Sequence, residues 1–171
     1  MAKGTLIAAM NMAHAAEDEF HDWYDNEHLP ERLSIPGFVR GSRWRALAGG
    51  PAYFVLYEVA ELATLTSPAY LARLDHPSPW TTKMMPSYRN MRRGFCAVAG
   101  SFGAGLGAAS LLVRFAPVPG REASLRDWLL RDTLPRLSTE PGIGSAHLLE
   151  GAATPPMTNE QRIRGADAGV D

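Results

Sequence analysis

With 171 residues, 46% of them hydrophobic and 20% charged, the chain holds enough apolar material for one ordinary domain or two small fused ones, and its composition excludes a disordered chain. Its 17 basic and 18 acidic residues leave a net charge of −1, which builds no broad positive field and argues against nucleic acid as a partner. The single Cys96 excludes an internal disulfide and, lacking a CxxC or Cys/His neighbour, a zinc site; this fits a reducing, cytoplasmic setting.

Leu6 to Met12 is short, apolar and bounded by Gly4 and a polar cluster, as in a buried strand. The N-terminal stretch loosely imitates a secretory signal, with Lys3, an apolar run and Ala13-His14-Ala15. The run is broken by Asn11 and echoed in mid-chain, so it is assigned to that strand. A helix is expected from about Asp18 as N-cap, with acids in the first turn where the helix dipole favours them. Proline lacks an amide hydrogen and crowds the preceding turn, so Pro30 should end or kink this helix around His28-Leu29. Phe38 to Leu47 and Ala52 to Val59, separated by Ala48-Gly49-Gly50-Pro51, spell a hairpin. Further helices should start at Ser67-Pro68 and Ser78-Pro79, each with serine as N-cap and proline at the first helical position. Gly94 to Gly100 supplies a fourth strand. Segment 100–109 is a Gly-rich linker; its spacing is not the dinucleotide fingerprint, because Ala108 stands where the third glycine is needed and a strand is expected next.

Sliding the sequence by 105 positions aligns Thr5–Met10 with Ser110–Phe115, His21–Pro30 with Arg126–Pro135, and Pro36-Gly37 with Pro141-Gly142, without gaps. The fold expected is therefore α+β: a ferredoxin-like βαββαβ unit over residues 1–99, and an incomplete tandem copy over 110–171. The third strand of the second copy should fall near Met157 to Arg164, where the sequence is polar and lacks alternation, so this end is expected as a polar tail. Either the duplication is truncated or another chain completes the second sheet. An unfinished sheet leaves an apolar face, which predicts a homodimer.

The order strand, helix, hairpin, together with the pattern Trp23, His28, Pro30 (W-x4-H-x-P) followed by Pro36-Gly37, resembles the dimeric α/β-barrel superfamily and, within it, the EthD-like proteins. The resemblance covers Thr5 to about Val98 well and Ser110 to Gly151 in part. It implies a pocket between sheet and helices that takes a small hydrophobic or aromatic molecule. Such proteins include cofactor-free monooxygenases, isomerases and cyclases, haem-dependent enzymes and plain ligand-binding modules, so fold alone does not fix the chemistry.

The two copies act as an internal control. Asp22, Trp23, Leu29 and Pro30 recur as Asp127, Trp128, Leu134 and Pro135 and are assigned to the scaffold; Glu27 matches Asp132 and is assigned there too. Tyr24, Asp25 and His28 face Leu129, Leu130 and Thr133, so the polar set belongs to the first copy alone. His28 lies one turn beyond Tyr24, and Asp25 lies three residues before it, close enough for a carboxylate to orient the imidazole and raise its pKa. His28, Asp25 and Tyr24 are the catalytic candidates, with His28 moving a proton. His14, Arg43, Tyr57 and Trp80 are candidates for substrate binding. No metal-ligand spacing, Ser-His-Asp set or GxSxG motif is present.

The function expected is a small-molecule enzyme acting on a compact hydrophobic or aromatic metabolite as an isomerase, lyase or cofactor-free oxygenase, without cofactor and without nucleic acid or membrane partners. A non-catalytic ligand-binding or assembly module is the alternative, and a haem protein with a histidine axial ligand is the third.

Overall fold

Alternation of buried and half-buried residues along Tyr53-Phe54-Val55-Leu56-Tyr57-Glu58-Val59 gives a strand with one face committed to a core. In the computed structural model, which describes residues 2–153, 157–165 and 168–169, that strand is one of six in a sheet. The chain divides into two units, Met1–Ala97 with Gly151–Val170, and Val98–Glu150.

In the first unit β1 (Gly4–Met12) lies between β3 (Tyr53–Val59) and β4 (Tyr88–Gly103), pairing Leu6 with Tyr57 on one side and with Phe95 on the other. β2 (Phe38–Arg45) adds to the outer side of β3. The resulting order β2-β3-β1-β4, with helical connections after β1 and β3, is the ferredoxin-like arrangement. Leu6, Ala8 and Met10 of β1 and Val55 and Tyr57 of β3 form one core with Phe20, Trp23, Tyr24, Tyr70 and Leu74 from the helical layer. A two-residue strand β6 (Ala168–Gly169) runs parallel to β4 at Arg92 and Arg93.

The first helical connection does not end before Pro30. α1 (Glu17–Trp23) passes into a π-helical stretch, Tyr24–His28, and continues as α2 (Leu29–Leu33). The Leu29 amide bonds to the Tyr24 carbonyl, five residues back, and this widened turn accommodates a proline that has no amide hydrogen to give. α1 starts one residue before the expected cap, so Asp18 sits in an acidic first turn with Glu17 and Glu19 rather than capping the helix. α3 (Pro68–Asp75) and α4 (Pro79–Met84) are capped by Ser67 and Ser78, whose side chains accept from the Tyr70 and Thr81 amides.

The second unit contains α5 (Glu122–Trp128), a π-helical stretch Leu129–Thr133, and α6 (Leu134–Leu137). Each begins 105 residues after its first-unit counterpart, and Gly142 (φ 87°) stands 105 residues after Gly37 (φ 93°). β5 (Ser145–Ala152) runs beside the end of β4, where Ser101 Oγ and His147 Nδ1 are 2.6 Å apart. The expected strand over Ser110 to Phe115 is not formed, and Leu111, Val113 and Phe115 are exposed. A strand needs a neighbour: the counterpart of β3 falls at 158–164, and that segment forms a helix instead, α7 (Asn159–Arg164). Thr158 and Gln161 close a reciprocal capping box at its start, and Ile163 packs on the core of the first unit.

Candidate functional site

Tyr24, His28 and Arg32 succeed one another at four-residue intervals, and all three reach the same cavity between the sheet and the helical layer of the first unit. β1 contributes Leu6, Ala8 and Met10 to its floor, β3 contributes Tyr57, and Met85 and Tyr88 close another side. α7 supplies Glu160 and Arg164. Its enclosed space is small, about 30 Å³, room for one or two water molecules, so an organic ligand enters only as the lining side chains or α7 move.

His28 is 7% exposed, with its ring centre 4.4 Å from that of Trp23 and 4.9 Å from that of Tyr24. Its Nδ1 is buried and has no hydrogen-bond partner among the described residues. Burial foremost, and then the positive charges of Arg32, Arg164 and Arg43, hold its pKa well below the ordinary 6.5. The imidazole is thus neutral at physiological pH, contrary to the expectation that Asp25 would raise its pKa. Asp25 is exposed, turned roughly 100° around the helix from Tyr24, and accepts a hydrogen bond from Arg43 at 2.9 Å. It does not line the cavity.

The Tyr24 and Tyr57 hydroxyls are 2.8 Å apart, and burial holds both phenols above their ordinary pKa, so both keep their protons. Arg43 is outside the cavity lining; its guanidinium covers the Tyr24 ring at 4.5 Å and the Phe20 ring at 5.3 Å. His14 is fully exposed and 3.6 Å from Glu17, and Trp80 donates its indole N–H to Glu19 at 3.1 Å; neither reaches the cavity. Of the seven candidates, Tyr24, His28 and Tyr57 come together and the other four lie elsewhere. Glu27 accepts from Trp23, Ser78 and Thr81 and ties the first helical layer to α4.

The sequence reading missed Arg32, Glu160, Arg93 and Arg164. Arg32, 2% exposed, is ion-paired to Glu160 and, at 3.0 Å, to Glu31. Burial works against its charge, and Glu160, Tyr70, Tyr57 and Glu31 more than offset this, raising its pKa above the usual arginine range. Two signals pointed to Arg32: it lies one turn beyond His28, and its counterpart in the second copy is Leu137. Arg93 donates to the Tyr70 hydroxyl at 2.8 Å. Glu160 had no comparable signal, although Thr158-x-x-Gln161 spells the capping box of the helix that carries it.

Among the described residues no three His, Cys, Asp or Glu side chains are grouped to hold a metal ion, and no helix is long and apolar enough to cross a membrane. A haem does not fit His28: the imidazole is packed against Trp23 and Tyr24, in a cavity too small for a porphyrin.

No family model and no curated protein matches the chain. Among solved structures, a point-mutant form of SnoaB, a cofactor-independent oxygenase from Streptomyces nogalater, is similar at 18% identity and a TM-score of 0.41, covering 56% of this chain and 91% of its own.

Proposed function

We propose that the first unit is a small-molecule enzyme of the dimeric α/β-barrel type, EthD-like in its helix pattern, in which His28 removes a proton from a compact, partly apolar substrate. The observation that carries this is the buried, neutral imidazole with an unpartnered Nδ1 in the wall of a cavity that has an apolar floor of Leu6, Ala8 and Met10. A neutral imidazole has a lone pair available to accept a proton, and in the Tyr24–Tyr57 pair one hydroxyl donates to the other, leaving the second O–H to donate to an oxygen that gains negative charge as the proton leaves. Isomerisation, elimination and cofactor-free oxygenation of an aromatic or enolisable compound share this first step. The β2-β3-β1-β4 order and the W-x4-H-x-P pattern support the superfamily. The matching helical ranges at the 105-residue offset support a tandem duplication. Exposed Leu111, Val113 and Phe115 support a homodimer, and the lone, buried Cys96 a cytoplasmic setting.

The test is proton exchange. A panel of hydroxylated aromatic and 1,3-dicarbonyl compounds is incubated with the protein in D₂O and monitored by NMR. At least one compound should lose its acidic C–H signal, and His28→Ala should slow this by about 10²-fold or more. Binding without exchange would make the protein a non-catalytic ligand-binding module. Equal exchange by wild type and variant would remove His28 from the chemistry.

A further inference from the structure

Apart from Glu160, the charged side chains in the cavity wall are all arginines: Arg32, Arg93 and Arg164. Glu160 is 4% exposed and its carboxylate is bound by the equally buried Arg32. Arg93 and Arg32 come from β4 and α2, the framework of the unit, whereas Glu160 is delivered by α7, a helix of six residues. Besides Glu160, α7 is held inward by Ile163 on the core and by Arg164, whose guanidinium lies 5.9 Å over the Tyr88 ring and 4.0 Å from Met85 Sδ, and it is tied at its rim. The Asn159 amide donates to Asp75 Oδ1 at 3.0 Å and the Asn159 side chain to the Asp75 carbonyl at 2.8 Å, both exposed contacts that water replaces at little cost. The framework therefore offers a buried guanidinium one helical turn from His28, beside an apolar floor; Glu31 of its own helix holds Nη1 at 3.0 Å, and a short separate helix brings a second carboxylate to Nη2.

We propose that Arg32 is the seat for the carboxylate of a small aromatic or unsaturated carboxylic acid, that Glu160 fills the seat when no such acid is bound, and that α7 withdraws to admit it. The planar guanidinium meets a carboxylate through two parallel hydrogen bonds, which fixes the orientation of the rest of the molecule as well as its charge. With the carboxylate on Arg32, the ring or double bond lies against Leu6 and Met10, on the side where His28 and Tyr24 also line the cavity. Entry of an acid exchanges one buried carboxylate for another, so Arg32 is never left with its charge uncompensated, which would be the costly state. This deepens the proton-transfer reading by naming the substrate class, and rests on that reading only for the chemistry after binding.

The test uses benzoate as probe and benzamide as its uncharged counterpart, by calorimetric titration of the full chain. Glu160→Gln should bind benzoate at least tenfold more tightly than wild type, benzamide should gain nothing, and Arg32→Gln added to Glu160→Gln should abolish the gain. A second measurement needs no variant: saturating benzoate should raise the amide exchange of residues 159–164 of the wild-type protein about tenfold, and benzamide should leave it unchanged. Absence of benzoate binding, equal affinity of wild type and Glu160→Gln, an equal gain for benzamide, or unaltered exchange in α7 overturns the proposal. The two readings fail separately. The tighter benzoate binding of Glu160→Gln persists even if no substrate proton is moved, and His28-dependent exchange on neutral compounds survives if Arg32 seats no carboxylate.

Discussion

A histidine packed among aromatic rings and near three guanidinium groups gives up its proton readily, and this has a consequence for stability as well as for chemistry. In the unfolded chain His28 titrates near 6.5; in the fold its pKa lies well below that, set by burial first and by Arg32, Arg164 and Arg43 next. Between those two values the unfolded state binds the proton and the folded state does not, so His28 makes the fold less stable as pH drops below 6.5 and has no such effect above it. Tyr24, Tyr88, Arg32, Arg93, Arg164 and Glu160 also face this cavity, so the His28 contribution is read as a difference between two proteins that share them. Melting temperatures of wild type and His28→Gln should run parallel from pH 8 to 7 and converge or cross from pH 6.5 to 5, the wild type falling faster. Parallel curves throughout would mean that His28 is not held neutral. The sequence was informative about residues where one helix face carried the signal. Tyr24 and His28 share the cavity because they are a turn apart, while Asp25, adjacent in sequence, is carried to the solvent side to meet Arg43. Sequence proximity of a carboxylate and an imidazole fixed neither their contact nor the direction of the pKa shift, because burial outweighs a charge that faces water.

At the level of elements, the serine caps and the strand pairing of the first unit were legible, and the cap expected at Asp18 and the strand expected over 110–115 were not. Ser67-Pro68 and Ser78-Pro79 start helices where their chemistry places them, because a serine cap and a proline at N1 act locally. Ser110 to Phe115 has the composition of a strand and forms none, since a strand is completed by its neighbour in the sheet. Pro30 carries an ambiguous signal: it disrupts the regular ladder, and the helix absorbs it by widening a turn rather than stopping. The turn after α2 and its counterpart after α6 offer a matched pair of glycines. Gly37 has φ 93°, and a Cβ there would lie 2.6 Å from Thr64 Oγ1 and 2.8 Å from its Cγ2, whereas Gly142 has φ 87° and no atom within 4 Å of a Cβ. Gly142→Ala incurs only the unfavourable backbone, about 1–3 kcal/mol. Gly37→Ala incurs the same strain and must also push Thr64 aside, so it should cost more. Amide-exchange protection, read separately in each unit, checks the order; an equal loss at the two sites would mean that Thr64 moves freely.

For the molecule as a whole, apolar surface on the second unit predicts association in solution. Leu111, Val113, Phe115 and Trp128 are 88%, 65%, 53% and 54% exposed, in a unit whose helices, by contrast with α1 and α2, bury no residue. Scattered exposed hydrophobics are ordinary, but three at alternate positions of one segment outside any strand present an apolar face, a template for association with another chain. The sequence pointed the same way, since a second copy without its third strand cannot cover its own sheet. A second copy of the chain is the natural partner, because a two-fold axis lets each molecule bury the same segment of the other. Sedimentation equilibrium should therefore find a dimer at micromolar concentration, and replacing Leu111 and Val113 together by lysine should yield a monomer. That variant should retain the near-ultraviolet circular dichroism of Trp23, Tyr24 and Tyr57, since those side chains belong to the separate core of the first unit. A wild-type chain that sediments as a monomer, or a variant that dimerises as before, would show that this face is tolerated in water and that association, if any, uses another surface.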